Sequence, residues 1–140
     1  MAFTTSFKVR FADIDLGRVV YFARYADYAH RCFEDFFTEG AKLPYGQMME
    51  RQRVGFPIVH AEADYLSPLR VDDEVRIVME VLRLTRRSVT SRFTLLRGAT
   101  DERCAVVTLK QACVDLEAFR GTQIPDAIFA HFSAHLLEET

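Results

Sequence analysis

The chain has 140 residues, 49% apolar and 27% charged, with a formal net charge of −2. That suits one folded domain over residues 1–140 and excludes a chain built to wrap nucleic acid or coat an anionic membrane. No stretch approaches the ~20 apolar residues of a spanning helix, and the opening MAFTTSFKVRF reaches charge too early for a secretory signal, so a cytosolic protein is expected. Cys32, Cys104 and Cys113 are odd in number and lack CxxC spacing, which points to buried free thiols rather than a disulfide framework or a zinc site.

Residues 5–13 alternate, with Phe7, Val9 and Phe11 on one side and Lys8 and Arg10 on the other, and predict a first strand. From Tyr21 to Glu39 the period changes. Phe22, Tyr25, Ala26, Ala29, Phe33, Phe36 and Phe37 recur at spacings of three and four, predicting a long amphipathic helix that Gly40 stops. A connecting stretch with Pro44, Gly46, Gly55 and Pro57 has room for a helical turn near Gln47–Arg53. Four further strands are read at about 58–66, 73–84, 88–97 and 103–116; Val75, Ile77, Met79 and Val81 share one face, as do Val89, Phe93 and Leu95 around Ser91. After Pro125, the spacing of Ile128, Phe129, Phe132 and Leu136 predicts a short packing helix. One strand, one long helix and four consecutive strands describe an α+β domain in which an antiparallel sheet wraps around one helix. Its sheet edges need covering, so a homodimer at least is expected.

Between the first strand and the helix lies FADIDLGRVVYFARY. Asp13 is read as a capping carboxylate. Asp15 lies too far ahead of a helix starting near Tyr21 to cap it, and needs another reason to stand before the apolar Val19 and Val20. The segment resembles the active-site stretch of the 4-hydroxybenzoyl-CoA thioesterase family, D-x-D followed by a Gly-containing turn and V-Y. GFPIVHAEADYLSPLRVDDEV resembles that family's second strand and following turn, and LTRRSVTSRF its basic stretch between the next two strands. The 1,4-dihydroxy-2-naphthoyl-CoA hydrolases are similar in the same segments.

The resemblance implies a hot-dog fold, a five-stranded antiparallel sheet around one long helix, and an acyl-CoA thioesterase leaning to aromatic acyl groups. By the same resemblance Asp15 is the nucleophile or general base, and the Tyr21 and Phe22 N–H groups form the oxyanion site. Arg86 and Arg87 would hold the phosphates of CoA, competing with a plain charged hairpin turn. No metal and no cofactor beyond the substrate's own CoA are implied; the assembly would be a homodimer, paired again into a tetramer.

Arg18, Phe22 and Arg24 stand where the family more often has Gly, His or Tyr, and Asn. For Arg18 a surface ion pair with a nearby Asp is favoured over a substrate contact. Tyr25 and His60 are possible pocket residues, His60 reading first as an ordinary strand histidine; Glu62 and Asp64 share its face. Phe22, Tyr25, Phe33 and Phe56 could line an aryl pocket or form core. The rival readings are a thioesterase for fatty acyl groups on CoA or acyl carrier protein, and a non-catalytic acyl-CoA binding protein.

Overall fold

The computed structural model describes residues 2–137. Five strands, β1 (Phe3–Lys8), β3 (Ile58–Tyr65), β4 (Glu74–Leu84), β5 (Ser88–Arg97) and β6 (Glu102–Ala112), form one sheet in the order β1-β4-β5-β6-β3. Every pairing in it is antiparallel. β2 (Val54–Gly55), β7 (Val114–Asp115) and β8 (Arg120–Gly121) make a small second sheet. Helix α1 (Arg24–Asp35) crosses the sheet's inner face, while α2 (Tyr45–Gln52) and α3 (Asp126–Ala134) close one end. This is the expected hot-dog arrangement.

Alternation explains the sheet. Val75, Ile77, Met79 and Val81 of β4 are each at most 1% exposed, whereas Arg76, Val78 and Glu80 between them are half-buried on the outer face. Phe93 pairs with Met79 and Val107, and Leu95 with Ile77 and Ala105, so the inner face is apolar across three strands. Each such side chain taken out of water stabilises the fold by about 1.5–3 kcal/mol. On α1, Tyr25, Tyr28, Ala29, Cys32 and Phe33 are the buried stripe, at helical spacing. Phe33 meets Phe37, Phe56 and Phe132 at ring-centroid distances of 5.2, 6.0 and 5.9 Å, which ties helix, loop and α3 together.

Three boundaries differ from the sequence expectation. The first strand ends at Lys8 instead of residue 13, because residues Phe11–Asp13 curl into a 3-10 turn. Asp13 closes that turn: its N–H donates to the Arg10 carbonyl (3.0 Å) and its carboxylate accepts the Arg10 N–H (3.0 Å), a local bond that competes with strand pairing. Phe11 is therefore 80% exposed rather than beside Phe7 and Val9. Helix α1 begins at Arg24, not Tyr21, and after Asp35 widens into a π-helical turn, Phe36–Gly40. Gly40 ends it as expected, with a further reason: a Cβ there would sit 2.7 Å from Cε1 of His131 on α3. The last strand breaks at Cys113, whose N–H turns to the Arg87 carbonyl (2.8 Å), and β7 leaves the main sheet.

Edge strand β3 is exposed along its whole length on both faces. Ile58, Val59 and Tyr65 are 41%, 56% and 53% exposed, so the edge is apolar as well as open.

Candidate active site

The segment from Ile14 to Val20 is a miniature hairpin. Ile14 and Val20 bridge, the Asp15 N–H donates to the Val19 carbonyl (3.0 Å), and the Arg18 N–H donates to the Asp15 carbonyl (3.0 Å). Val20 anchors the returning arm: it is 4% exposed and its N–H donates to the Leu69 carbonyl (2.8 Å). The chain reverses through Arg18, at φ 64, and not through Gly17. What Gly17 supplies is space. Its N–H donates to Asp15 Oδ1 (2.8 Å), and a Cβ on it would stand 3.1 Å from that same oxygen. The Asp15 carboxylate is thus oriented by one backbone donor and otherwise open to solvent. Gly17→Ala should push this carboxylate aside, lowering kcat/KM of any reaction it serves by roughly tenfold while the melting temperature stays within a few degrees. Thermal melts beside steady-state kinetics will check this; unchanged kinetics would show that the carboxylate's orientation is immaterial.

Asp13 is buried, with Arg24 Nε 3.8 Å from its Oδ1, so the departure at Arg24 is accounted for by a structural ion pair. Burial, with Asp13 beside it, pushes the Tyr28 phenol far above its ordinary value. Asp13 therefore closes the 3-10 turn and does not cap α1, whose N-cap, Ala23, has no side-chain cap bond.

Of the two expected oxyanion donors, the structure removes one. The Tyr21 N–H donates to the Asp13 carbonyl (2.9 Å) and is spent. The Phe22 N–H has no acceptor among the described residues; the first N–H groups to bond back along the chain are those of Arg24 and Tyr25, to the Tyr21 and Phe22 carbonyls (2.9 and 3.2 Å). Free donors at a helix start favour developing negative charge.

Two concavities flank this loop. One, of about 650 Å³, is lined by Phe11, Ile14, Asp15, Leu16 and Arg18. The other, of about 300 Å³, has Phe22, Tyr25, Tyr65 and Leu66 among its walls. Tyr25 lines the second concavity, its ring 5.0 Å from that of Tyr65. Burial raises its phenol pKa and keeps it protonated. Phe22 is 63% exposed, while Phe33 and Phe56 are core. Phe11, Leu16 and Tyr65 line these concavities, and the sequence reading did not single them out. Tyr65 carried one signal, its place on the same side of IVHAEADY as Ala61 and Ala63.

Other expected site residues lie elsewhere. His60 pairs with exposed Lys110, whereas Ala61 pairs with buried Leu109, so His60, Glu62 and Asp64 point to the outer face, away from α1. The His60 Nε2 meets the Glu62 carboxylate at 2.8 Å. Arg86 and Arg87 occupy the β4–β5 turn, one full length of β4 from the end where Lys8 pairs with Glu74; 11 residues at ~3.3 Å each separate them from the Asp15 end by roughly 35 Å. Arg86 donates to the Asp126 carboxylate (2.8 Å) and lies 4.4 Å over the Phe129 ring, pinning α3. Within one chain neither arginine nor His60 reaches Asp15. Among the described residues no three His, Cys, Asp or Glu side chains converge as a metal-binding group.

The family model of the Thioesterase-like superfamily matches residues 9–132, and the chain belongs to that family of thioester hydrolases. It is 32% identical over 124 residues to a 1,4-dihydroxy-2-naphthoyl-CoA hydrolase of Thermosynechococcus vestitus, covering 86% of this chain and 81% of that one. It is 25% identical to the acyl-CoA thioesterase YbgC of Haemophilus influenzae over 93% of both chains. The crystal structure of a 1,4-dihydroxy-2-naphthoyl-CoA thioesterase from Synechocystis superposes with a TM-score of 0.86 at 18% identity, over 95% of this chain and 96% of that one, a likeness of fold.

Proposed function

We propose that the chain hydrolyses acyl-CoA thioesters, leaning to aromatic acyl groups, with Asp15 as the reacting carboxylate. The observation that carries this reading is the pairing of an open, singly bonded Asp15 carboxylate with the unpartnered Phe22 amide on one short loop. A carboxylate is ionised at neutral pH and needs no partner base. Asp15 attacks the thioester carbon, or takes a proton from the water that does; the carbonyl oxygen gains charge, which the Phe22 N–H receives. One such donor contributes about 2.7–4 kcal/mol to lowering the barrier. Collapse breaks the C–S bond and releases the CoA thiolate, which takes up a proton. If Asp15 has attacked directly, water then cleaves the acyl-aspartyl anhydride and restores the carboxylate. The aromatic lean rests on the named relatives and on the Phe22, Tyr25 and Tyr65 rings beside the loop.

The open β3 edge supports a homodimer formed by β3 pairing with its copy, and the outer sheet face a second pairing into a tetramer. Arg87, exposed and without an ion pair among the described residues, is the member of the Arg86–Arg87 pair left for a CoA phosphate, and the length of the sheet makes that a service to a neighbouring subunit's site. Sedimentation should return at least twice the chain mass; a monomer at micromolar concentration would rule out that pairing.

Thiol release from a panel of acyl-CoAs, aryl through long aliphatic, tests the function. Turnover with aryl-CoA fastest is expected. Turnover of long aliphatic esters alone would replace the aromatic reading, and none on any CoA or acyl-carrier-protein thioester would leave only a binding role.

A further inference from the structure

We propose that Arg18 recognises a carboxylate carried by the acyl group, so that the preferred substrates are thioesters of acyl groups bearing a negative charge. The proposal rests on the thioesterase reading above and deepens it. Arg18 lines the larger concavity together with Asp15, and the remaining walls, Phe11, Ile14 and Leu16, are apolar. That concavity holds one cation and one anion, yet the two do not pair: the Asp15 carboxylate turns to the Gly17 N–H, and Arg18 forms no ion pair among the described residues. Asp13, the other nearby carboxylate, is occupied by the Arg10 N–H and by Arg24. The expected surface pair of Arg18 with a neighbouring Asp is therefore not formed.

The backbone adds a second observation. Arg18 sits at φ 64, where a side chain is held at a conformational cost that glycine would avoid. Lys42, Arg53, Asp72, Asp101 and Phe119 also have positive φ, but none lines this concavity. A strained arginine beside the reacting carboxylate, with nothing of its own to bind, is matched to a ligand. Electrostatics says which kind. An acyl group with its own carboxylate would be repelled by Asp15, and Arg18 offsets that repulsion with a planar fork suited to two carboxylate oxygens.

Arg18 can reach a group on the acyl side, and the pantetheine thioesters in the test separate that group from a CoA phosphate. The hydrogen bond from Arg18 N–H to the Asp15 carbonyl makes these the ends of a turn, with Cα atoms within ~7 Å, and the arginine side chain adds about 7 Å more. The pantetheine arm, as long as four to five extended residues, carries the nearest CoA phosphate about 15 Å from the sulfur.

The test compares kcat/KM for 3-carboxybenzoyl-CoA against benzoyl-CoA, and glutaryl-CoA against pentanoyl-CoA, in wild type, Arg18→Gly and Arg18→Lys. Wild type should favour the carboxylated member of at least one pair. Arg18→Gly should lower that preference roughly tenfold or more while keeping or raising the melting temperature, and Arg18→Lys should retain part of it. An equal preference in wild type and Arg18→Gly overturns the proposal and leaves the thioesterase reading standing. A loss on all CoA esters that spares the matching pantetheine thioesters also overturns it, assigning Arg18 to a CoA phosphate. Absence of any thioester hydrolysis by wild type would remove both readings together.

Discussion

Asp15→Asn is expected to release thiol from the best acyl-CoA at about one hundredth of the wild-type rate or less, a barrier increase of ~2.7 kcal/mol or more. The substitution is nearly silent for the fold. Asp15 is exposed, and its one side-chain bond, from the Gly17 N–H, can be kept by the Asn amide oxygen. Exposed substitutions of this kind stay within about 0.5 kcal/mol of wild-type stability, so the melting curve should overlay. An amide can neither attack as a carboxylate does nor take a proton from water, so the loss should fall on kcat more than on KM. Matching rates in wild type and variant, at confirmed folding, would show that Asp15 is not the reacting group and would turn attention to water held elsewhere on the loop.

Phe33→Ala should cost about 3–5 kcal/mol, the largest effect expected of a single side chain in this domain. Phe33 has no exposed surface and lies between α1, the loop carrying Phe56, and α3 carrying Phe132. Those three elements share no backbone ladder, so the cavity left by the ring is bordered by pieces that cannot readily collapse together. Against a total stability of 5–15 kcal/mol for ordinary domains, such a loss approaches unfolding at physiological temperature. Urea titration gives the comparison, with Phe119→Ala, at a side chain 78% exposed, as the reference that should shift by no more than about 0.5 kcal/mol. A cost for Phe33→Ala no larger than the reference would mean that the aromatic cluster is far looser than its ring distances imply.

The legible part of the sequence was whatever repeats. The spacing of Tyr25, Ala29 and Phe33 marks the buried face of α1, and the alternation of Val75, Ile77, Met79 and Val81 marks that of β4, because burial imposes those periods directly. Val54–Gly55 and Arg120–Gly121 were not legible as strands, since two residues cannot show a period, and Val114–Asp115 was read as the end of a strand at 103–116 that breaks at Cys113. His60 is a case the pattern did carry: alternation places it with Glu62 and Asp64, opposite Val59, Ala61, Ala63 and Tyr65, and the structure turns that polar side outward. At the site, the resemblance drew attention to the loop and to Asp15, where the structure shows an oriented carboxylate; its role waits on the substitution above. Whether a given amide is free depends on contacts outside any motif: Tyr21 is spent on the Asp13 carbonyl because residues 11–13 coil. Likewise Arg86 reads as half of a basic pair until α3, 40 residues on, brings Asp126 against it.

All three cysteines are buried, and their burial has a practical side. Burial pushes the thiols of Cys32 and Cys104 above their ordinary value and that of Cys113 to about 11, so at neutral pH almost none is thiolate, the form that attacks a disulfide reagent. A chromogenic aryl disulfide added to the folded protein should therefore stay colourless until CoA is set free. Colour arising later without substrate would then report that the core has opened, which gives the same cuvette a second use as an unfolding clock.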